Sequence, residues 1–357
     1  MYLKLNDYIE VSKKSNRIIF KNNKLSKEYH IKYNDLIYNI ILNIQVPIKY
    51  SKITQLLSEK YSENINEISN VIEQLKEIDV ITQSTVENGF ENQSDTIYSR
   101  QIEYFESLFD VENGQKIQDK ISDMHIVIVG TGGIGTWTSL FLTQIGVKKI
   151  TLIDDDIVNI SNIPRQVLFN FKDIGKKKVL VLKERLSLIN NDVEIDTLSF
   201  KITEDDIILD KINNFDLVIN CADSPNVSTT SKWINNYCYP RNIPFTVGGG
   251  YSIHSSKIGT TIIPRKTPCW ECYIKDTENT FYDVEREILV PAYRDFKGAL
   301  NIACVLTSAI QTLDIIRYIS DNDPFFKSST GEWDLRSLDF HYYYFKKQPN
   351  CAICNQK

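Results

Sequence analysis

Ile126-Val-Ile-Val129 runs directly into Gly130-Thr-Gly-Gly-Ile-Gly135, and a helical pattern follows from Trp137 to Ile145. A strand that turns through glycines into a helix N-terminus is a device for holding phosphate. The glycines let the backbone approach oxygen atoms, and the first-turn N–H groups, which lack intrahelical partners, can donate to an anion. Alone, the loop does not choose between NAD, FAD and ATP. Thr151-Leu-Ile-Asp154 then ends a second strand on a carboxylate, and Asn162, Arg165 and Lys178 follow. Those residues point to a triphosphate.

Working outward, apolar strand candidates at Ile126–Val129, Ile150–Asp154, Glu194–Ser199, Asp216–Asn220 and Pro244–Val247 alternate with helical patterns. The helices are expected at Thr136–Ile145, Lys176–Asn190, Thr203–Lys211 and Thr229–Tyr239. This alternation predicts an α/β fold, a Rossmann-like and mostly parallel sheet covered on both faces. A long helix at Leu300–Ser320 and a β-rich tail at Ser337–Lys346 follow, and the tail is expected to extend the same sheet with antiparallel strands.

Residues 1–81 read as a separate α+β module. Alternating apolar residues from Leu3 to Val11 and Arg17–Phe20 predict short strands. Tyr33, Leu36, Ile37, Ile40, Ile41 and Ile44 trace an amphipathic helix, Ile53–Tyr61 a second and Ile68–Ile78 a third. A short sheet with three helices is winged-helix-like, and on pattern alone it serves either as a binding module or as an oligomerisation appendage. Residues 82–97 are polar and aperiodic and read as a linker.

The chain is 357 residues long, enough for two domains, and its 42% apolar content supports a sizeable core. A net charge of −5, with no basic patch interleaved with aromatics, gives no reason to expect nucleic acid. No apolar run approaches the ~20 residues that span a bilayer. The N-terminus lacks the basic-then-apolar plan of a signal peptide, so no membrane association and a cytoplasmic location are expected.

In that setting the seven cysteines read as thiols or metal ligands rather than disulfides. Cys269-Trp-Glu-Cys272 and Cys351-Ala-Ile-Cys354 form two C-x-x-C knuckles, each able to give two thiolates to a structural, tetrahedral Zn²⁺. Cys221, Cys238 and Cys304 read as space-filling.

Five residues besides the glycines suit the nucleotide. Asp154 stands where a carboxylate can accept from ribose hydroxyls, while Asp155 and Asp156 carry no assigned role. Arg165 offers a fork of charged donors to phosphate, beside Asn162, and Lys178 adds a point charge. Asp223, in Cys221-Ala-Asp223 after the fourth strand, can hold Mg²⁺ against phosphates or simply cap the next helix.

Taken together, Gly130–Gly135, Asp154, Ser161-Asn162-Ile-Pro-Arg165-Gln166, Gly175–Lys178, Cys221-Ala-Asp223 and the split cysteine pairs resemble the ubiquitin-activating superfamily. The likeness is to its bacterial branch, with the ThiF and MoeB adenylyltransferases, and covers residues 98–357. The resemblance implies that Gly130, Gly132, Gly133, Gly135, Asp154, Asn162, Arg165 and Lys178 bind ATP and that Asp223 binds Mg²⁺. It also implies a homodimer in which Arg100, in Tyr98-Ser-Arg-Gln101, reaches the partner's phosphates, making Arg100, Arg165, Lys178 and Asp223 the catalytic set.

The segment Asp154–Phe169 and the terminal C-x-x-C further resemble the microcin C-type peptide-adenylating enzymes. That likeness implies a ribosomally made peptide substrate, with residues 1–81 as a peptide clamp. No cysteine occurs between residues 273 and 303, where thioester-forming relatives carry one, so the chemistry is expected to stop at nucleotidyl transfer. A carrier-protein activator, an inactive peptide-binding scaffold and an NAD-dependent oxidoreductase are the rival readings. Neither the base of the nucleotide nor the final product is legible in the sequence.

Overall fold

The computed structural model describes residues 2–61, 64–84, 96–109, 113–252, 254–277 and 298–354. It divides into two compact units, Met1–Val111 and Glu112–Lys357. The middle of the expected linker and the cysteine-free segment 278–297 lie outside the described residues.

The first unit runs β1 (Tyr2–Leu5), β2 (Ile9–Lys14), β3 (Arg17–Asn22), β4 (Lys27–Lys32), α1 (Asp35–Asn43), β5 (Ile48–Lys49), α2 (Tyr50–Tyr61), α3 (Ile65–Glu77), β6 (Ile81–Ser84) and α4 (Ser99–Phe109). Two three-stranded antiparallel sheets form, in the orders β5-β1-β6 and β2-β3-β4. The three helices expected from apolar periodicity are present. Asn34 starts α1 by accepting from the Leu36 N–H at 2.7 Å, and Ile40, Ile53, Leu57, Ile68 and Ile72 close a dry core with Leu3 and Phe20. Strand β4, which the sequence reading passes over, is a largely exposed edge written in charged residues.

The second unit begins with α5 (Gln115–Asp123), β7 (His125–Val129), α6 (Gly133–Ile145), β8 (Lys149–Ile153), α7 (Lys178–Ile189), β9 (Glu194–Leu198), β10 (Leu217–Asn220), α8 (Val227–Cys238) and β11 (Phe245–Val247). It continues through β12 (Gly250–Ser252), β13 (Ser255–Ile258), β14 (Thr261–Ile262), α9 (Trp270–Thr277), α10 (Asn301–Ile319), β15 (Ser329–Asp334) and β16 (Asp339–Tyr344). The principal sheet has the order β14-β11-β10-β7-β8-β9. Strands β7 to β11 are parallel and β14 adds the antiparallel extension. Strand β7 is buried along its whole length, as expected of a strand covered on both faces.

Two sequence-based expectations need correction. The tail does not join the principal sheet: β15 and β16 form a separate antiparallel sheet, β12-β13-β15-β16, because the chain steps between sheets at Gly259–Thr260. Thr203–Lys211 is not a helix. The Thr203 N–H donates to the Asp206 carbonyl while the Asp206 N–H donates to Thr203 Oγ1, Ile208 takes a left-handed φ of 58°, and only Leu209–Lys211 forms a 3-10 turn. Local side-chain hydrogen bonds there outcompete helical ones.

Helix α10, expected at Leu300–Ser320, has the length and apolar character of a membrane-crossing helix, which corrects the expectation that no apolar run approaches that length. Over half of it is buried in the unit, where it packs on α6, β12 and β13. Ser308 Oγ donates to the Ile134 carbonyl at 3.1 Å across the α10–α6 contact.

Candidate active site

Connections from β7 to β9 proceed toward one edge of the sheet, while β10 and β11 lie on the other side of β7. The switch point therefore falls between β7 and β10, and in such sheets a crevice opens beyond the carboxyl ends of those strands. A cavity of about 460 Å³ lies there. It is walled by the segments that follow β7, β8, β9, β10 and β11.

Val129 and Asn220 are paired in register, which brings the glycine loop against the turn after β10. Gly130 has φ +88°, and a Cβ on it would stand 2.6 Å from the Ala222 nitrogen, so only glycine fits. A Cβ on Gly135 would stand 2.0 Å from the Gly130 carbonyl oxygen; its absence lets α6 begin directly on the loop. Gly132 differs. Nothing lies within 4 Å of its Cβ position, and that residue faces the cavity.

The carboxylate of Asp154 anchors the loop. Its Oδ2 accepts from the Thr131 backbone N–H at 2.6 Å and from Thr131 Oγ1 at 2.8 Å, and its Oδ1 accepts from the Asp156 N–H at 2.8 Å. One lone-pair position on Oδ1 stays open for a further donor. The turn bearing Asp223 is fixed by a buried network. Asn220 Nδ2 donates to Thr230 Oγ1 and Ser231 Oγ at 3.0 and 2.9 Å, and Asn220 Oδ1 accepts from the Ala222 N–H at 3.1 Å. Asp223 itself is exposed at the cavity rim, and Asn226, not Asp223, caps α8.

Lys178 opens α7 with its side chain only 6% exposed, and its Nζ donates to Asp156 Oδ2 at 2.7 Å. A buried ammonium thus faces the cavity, held by a carboxylate that is 62% exposed. Gly130, Gly132, Gly133, Asp154, Lys178 and Asp223 all line the cavity. Gly135, Asn162 and Arg165 are not among the residues that line it. Asn162 is buried and bonded reciprocally with Asn159, and Arg165 Nη1 donates to the Ser161 carbonyl. Arg100 is an exposed residue of α4, in the first unit.

The structure also brings in residues the sequence reading leaves out: Thr131, Asp156, Lys201 and Tyr251. Thr131, Asp156 and Lys201 follow the ends of β7, β8 and β9, the position that signals them, whereas Tyr251 lies within β12. Cys221 lines the same cavity, but burial, with a smaller push from Asp223, raises its thiol to about 12. It is therefore protonated and a poor nucleophile at neutral pH.

Away from the cavity, Cys269, Cys272, Cys351 and Cys354 converge. Their sulfurs all lie within 4.8 Å of one another, with separations of 3.8, 3.5 and 3.5 Å for 269–272, 269–351 and 272–354. Zinc–sulfur bonds of about 2.3 Å in a tetrahedron require sulfur–sulfur edges of about 3.8 Å, which this cluster matches. The backbone N–H groups of Gln348 and Cys354 donate to Cys272 Sγ and Cys351 Sγ at 3.3 and 3.4 Å, hydrogen bonds that would orient metal-bound thiolates. All four cysteines are buried in the core formed with Trp270 and Tyr239. The donor set fits a closed, structural metal site.

Comparison with known proteins agrees with this geometry. The sulfur carrier protein ThiS adenylyltransferase of Escherichia coli K12 is 27% identical over 240 residues, covering 66% of this chain and 88% of its own. The molybdopterin-synthase adenylyltransferase of Salmonella typhimurium LT2 is 25% identical over 240 residues, covering 67% and 90%. Solved structures of E. coli MccB, among them complexes with ATP and with MccA, cover 99% of this chain and 100% of theirs. Their TM-score is 0.71 at 24% and 25% identity, so the likeness extends over both units. The ThiF family pattern matches residues 98–353, and the chain is an adenylyltransferase of the ThiF family.

Proposed function

We propose that the protein transfers the adenylyl group of ATP to a carboxylate of a ribosomally made peptide, releasing pyrophosphate, in a pathway of the microcin C type. The observation that carries this reading is the cavity at the switch point, where the glycine loop, Asp154, Lys178 and Asp223 meet. The match to MccB over both units separates this chain from relatives that align with only two-thirds of it.

In this reading Asp154 offers its open lone pair to the ribose while keeping the glycine loop closed through Thr131. Gly130, Gly132 and Gly133 line the phosphate path, and Gly135 sets the start of α6 behind them. Lys178 and Arg165 supply the positive charge that stabilises the transition state, chiefly by preorganisation, and Asn162 shapes the loop that presents Arg165. Asp223 holds Mg²⁺, which when bound neutralises charge on the departing pyrophosphate. Zn²⁺ in the four-cysteine cluster pins residues 351–354 to α9. Two chains form a homodimer in which Arg100 serves the partner's site, and residues 1–81 clamp the peptide before the 82–97 linker and the catalytic domain. The product is a nucleotide-modified or cyclised peptide, made in the cytoplasm.

A second reading, activation of a small carrier protein, is favoured by the similarity to the sulfur carrier protein ThiS adenylyltransferase. The experiment is ATP–pyrophosphate exchange with purified protein, offered peptides encoded by short open reading frames flanking its gene or a folded ubiquitin-like carrier. Exchange that requires a linear peptide, and stops when its carboxylates are amidated, supports peptide adenylation. Exchange driven only by the folded carrier overturns it.

A further inference from the structure

From β11 into β12 the chain leaves the principal sheet through Gly248-Gly249-Gly250, and Gly249 and Gly250 line the cavity without a role in the reading above. Two of the three are pressed against backbone. A Cβ on Gly248 would stand 2.2 Å from the Asn220 carbonyl oxygen, and one on Gly249 would stand 1.9 Å from that of Lys257. Gly250 is different, with nothing within 4 Å of its Cβ position. From the same wall Tyr251 extends over the first turn of α6, where a Cβ on Gly133 would lie 3.1 Å from its Oη. The wall therefore borders the glycine loop.

One side chain fixes it. Gln311, on α10 and 1% exposed, donates from Nε2 to the Val247 carbonyl at 2.6 Å and accepts at Oε1 from the Gly249 N–H at 2.7 Å. A parallel neighbouring strand would bond the same two groups, the carbonyl before Gly248 and the N–H after it. Past the end of β11, a helix side chain thus stands in for a strand. Helix α10 also holds the wall one turn earlier, where Thr307 Oγ1 donates to the Gly250 carbonyl at 3.4 Å, and it grips α6 through Ser308 and the Ile134 carbonyl.

We propose that Gln311 is a positioning residue: its amide locks the Gly248–Gly250 segment into the cavity wall, so that Gly250 and the glycine loop together fit around the phosphates of ATP. The inference rests on the reading of this cavity as the nucleotide site. Without the amide, the segment must be ordered by the ligand itself, and affinity falls by that ordering cost. Gln311→Met keeps the length of the side chain and removes both hydrogen bonds.

The test is calorimetric binding of MgATP to wild type, Gln311→Met, Gly250→Ala, their double variant and Gly132→Ala, with thermal melts fixing a temperature at which each is folded. Gln311→Met is expected to melt earlier and, while folded, to bind MgATP about three- to tenfold more weakly. Gly250→Ala should melt like wild type and bind about tenfold more weakly, because its methyl group enters the space the ligand occupies. In the double variant the loss should be smaller than the product of the single ones, since a wall no longer held does not present that methyl group to the ligand. Wild-type affinity in folded Gln311→Met shows a role in stability alone and overturns the proposal, as does a double-variant loss equal to the product. Where Gln311→Met does not fold, Gly250→Ala decides: normal affinity there, with weakened binding in Gly132→Ala, overturns the proposal. Normal affinity in both glycine variants overturns instead the nucleotide reading of the cavity.

Discussion

Replacing Lys178 by methionine should nearly abolish adenylyl transfer while leaving the fold almost as stable as before. The side chain is 6% exposed and its ion-pair partner, Asp156, is 62% exposed. Methionine fills a similar volume with an apolar chain, and the carboxylate left behind is hydrated by solvent rather than stranded. A pair with one exposed member contributes about 0–1 kcal/mol, so the stability change should stay within about 1 kcal/mol. Loss of a preorganised charge aimed at the reacting phosphate costs about 10²–10³ in kcat.

The reciprocal variant sharpens the argument. Asp156→Asn leaves the ammonium buried and removes the one ion pair recorded for it among the described residues. Breaking a pair from the exposed side strands a buried charge, which costs more than removing that charge. Asp156→Asn should therefore be the more destabilising of the two. Thermal and urea unfolding measure stability, and pyrophosphate exchange measures transfer. If Lys178→Met unfolds more readily than Asp156→Asn, or keeps wild-type exchange, the role drawn for Lys178 is wrong.

Gly132→Ala places a methyl group where no protein atom lies within 4 Å. The variant should melt like wild type yet bind MgATP at least tenfold more weakly, and unchanged binding would show that nucleotide does not occupy this part of the cavity. One Zn²⁺ per chain is expected by elemental analysis, and Cys269→Ser, which breaks the four-sulfur set, should lose it and destabilise the protein more than Cys238→Ser, which lies outside the set. Arg100→Ala and Asp223→Asn should each be nearly inactive, whereas heterodimers formed by mixing the two should regain one working site. A mixture that exchanges subunits and stays inactive shows that Arg100 does not act in trans.

Much of the site was legible because the physics behind it is local. The Gly130 loop announces itself by sequence since a positive φ and a close backbone approach admit nothing larger. The two C-x-x-C pairs were legible for a similar reason: the spacing that lets two thiolates face one metal is short. Their convergence was not. It depends on the tail reaching α9, where Phe345 meets the Tyr273 ring edge-on at 5.2 Å and the Lys346 N–H donates to Asp276 at 3.3 Å.

What escaped the sequence is of one kind, side chains whose meaning depends on a neighbour distant along the chain. Asp156 looks like one of three solvated carboxylates until α7 folds back and sets Lys178 against it, twenty-two positions later. Tyr251 looks like an ordinary strand aromatic until the fold brings its hydroxyl, and Cys304 of α10, up to Gly133 in the first turn of α6. Asp156 belongs to a charged group the sequence did reveal, and it holds that group in place. A motif names the atoms that meet the ligand, because their type and spacing are constrained by its shape. The supporting partners are constrained only by the fold, and many residue types at many positions satisfy it. For this chain the consequence is specific: at the phosphate end of the cavity, the difference between binding ATP and activating it should lie in Asp156 as much as in Lys178.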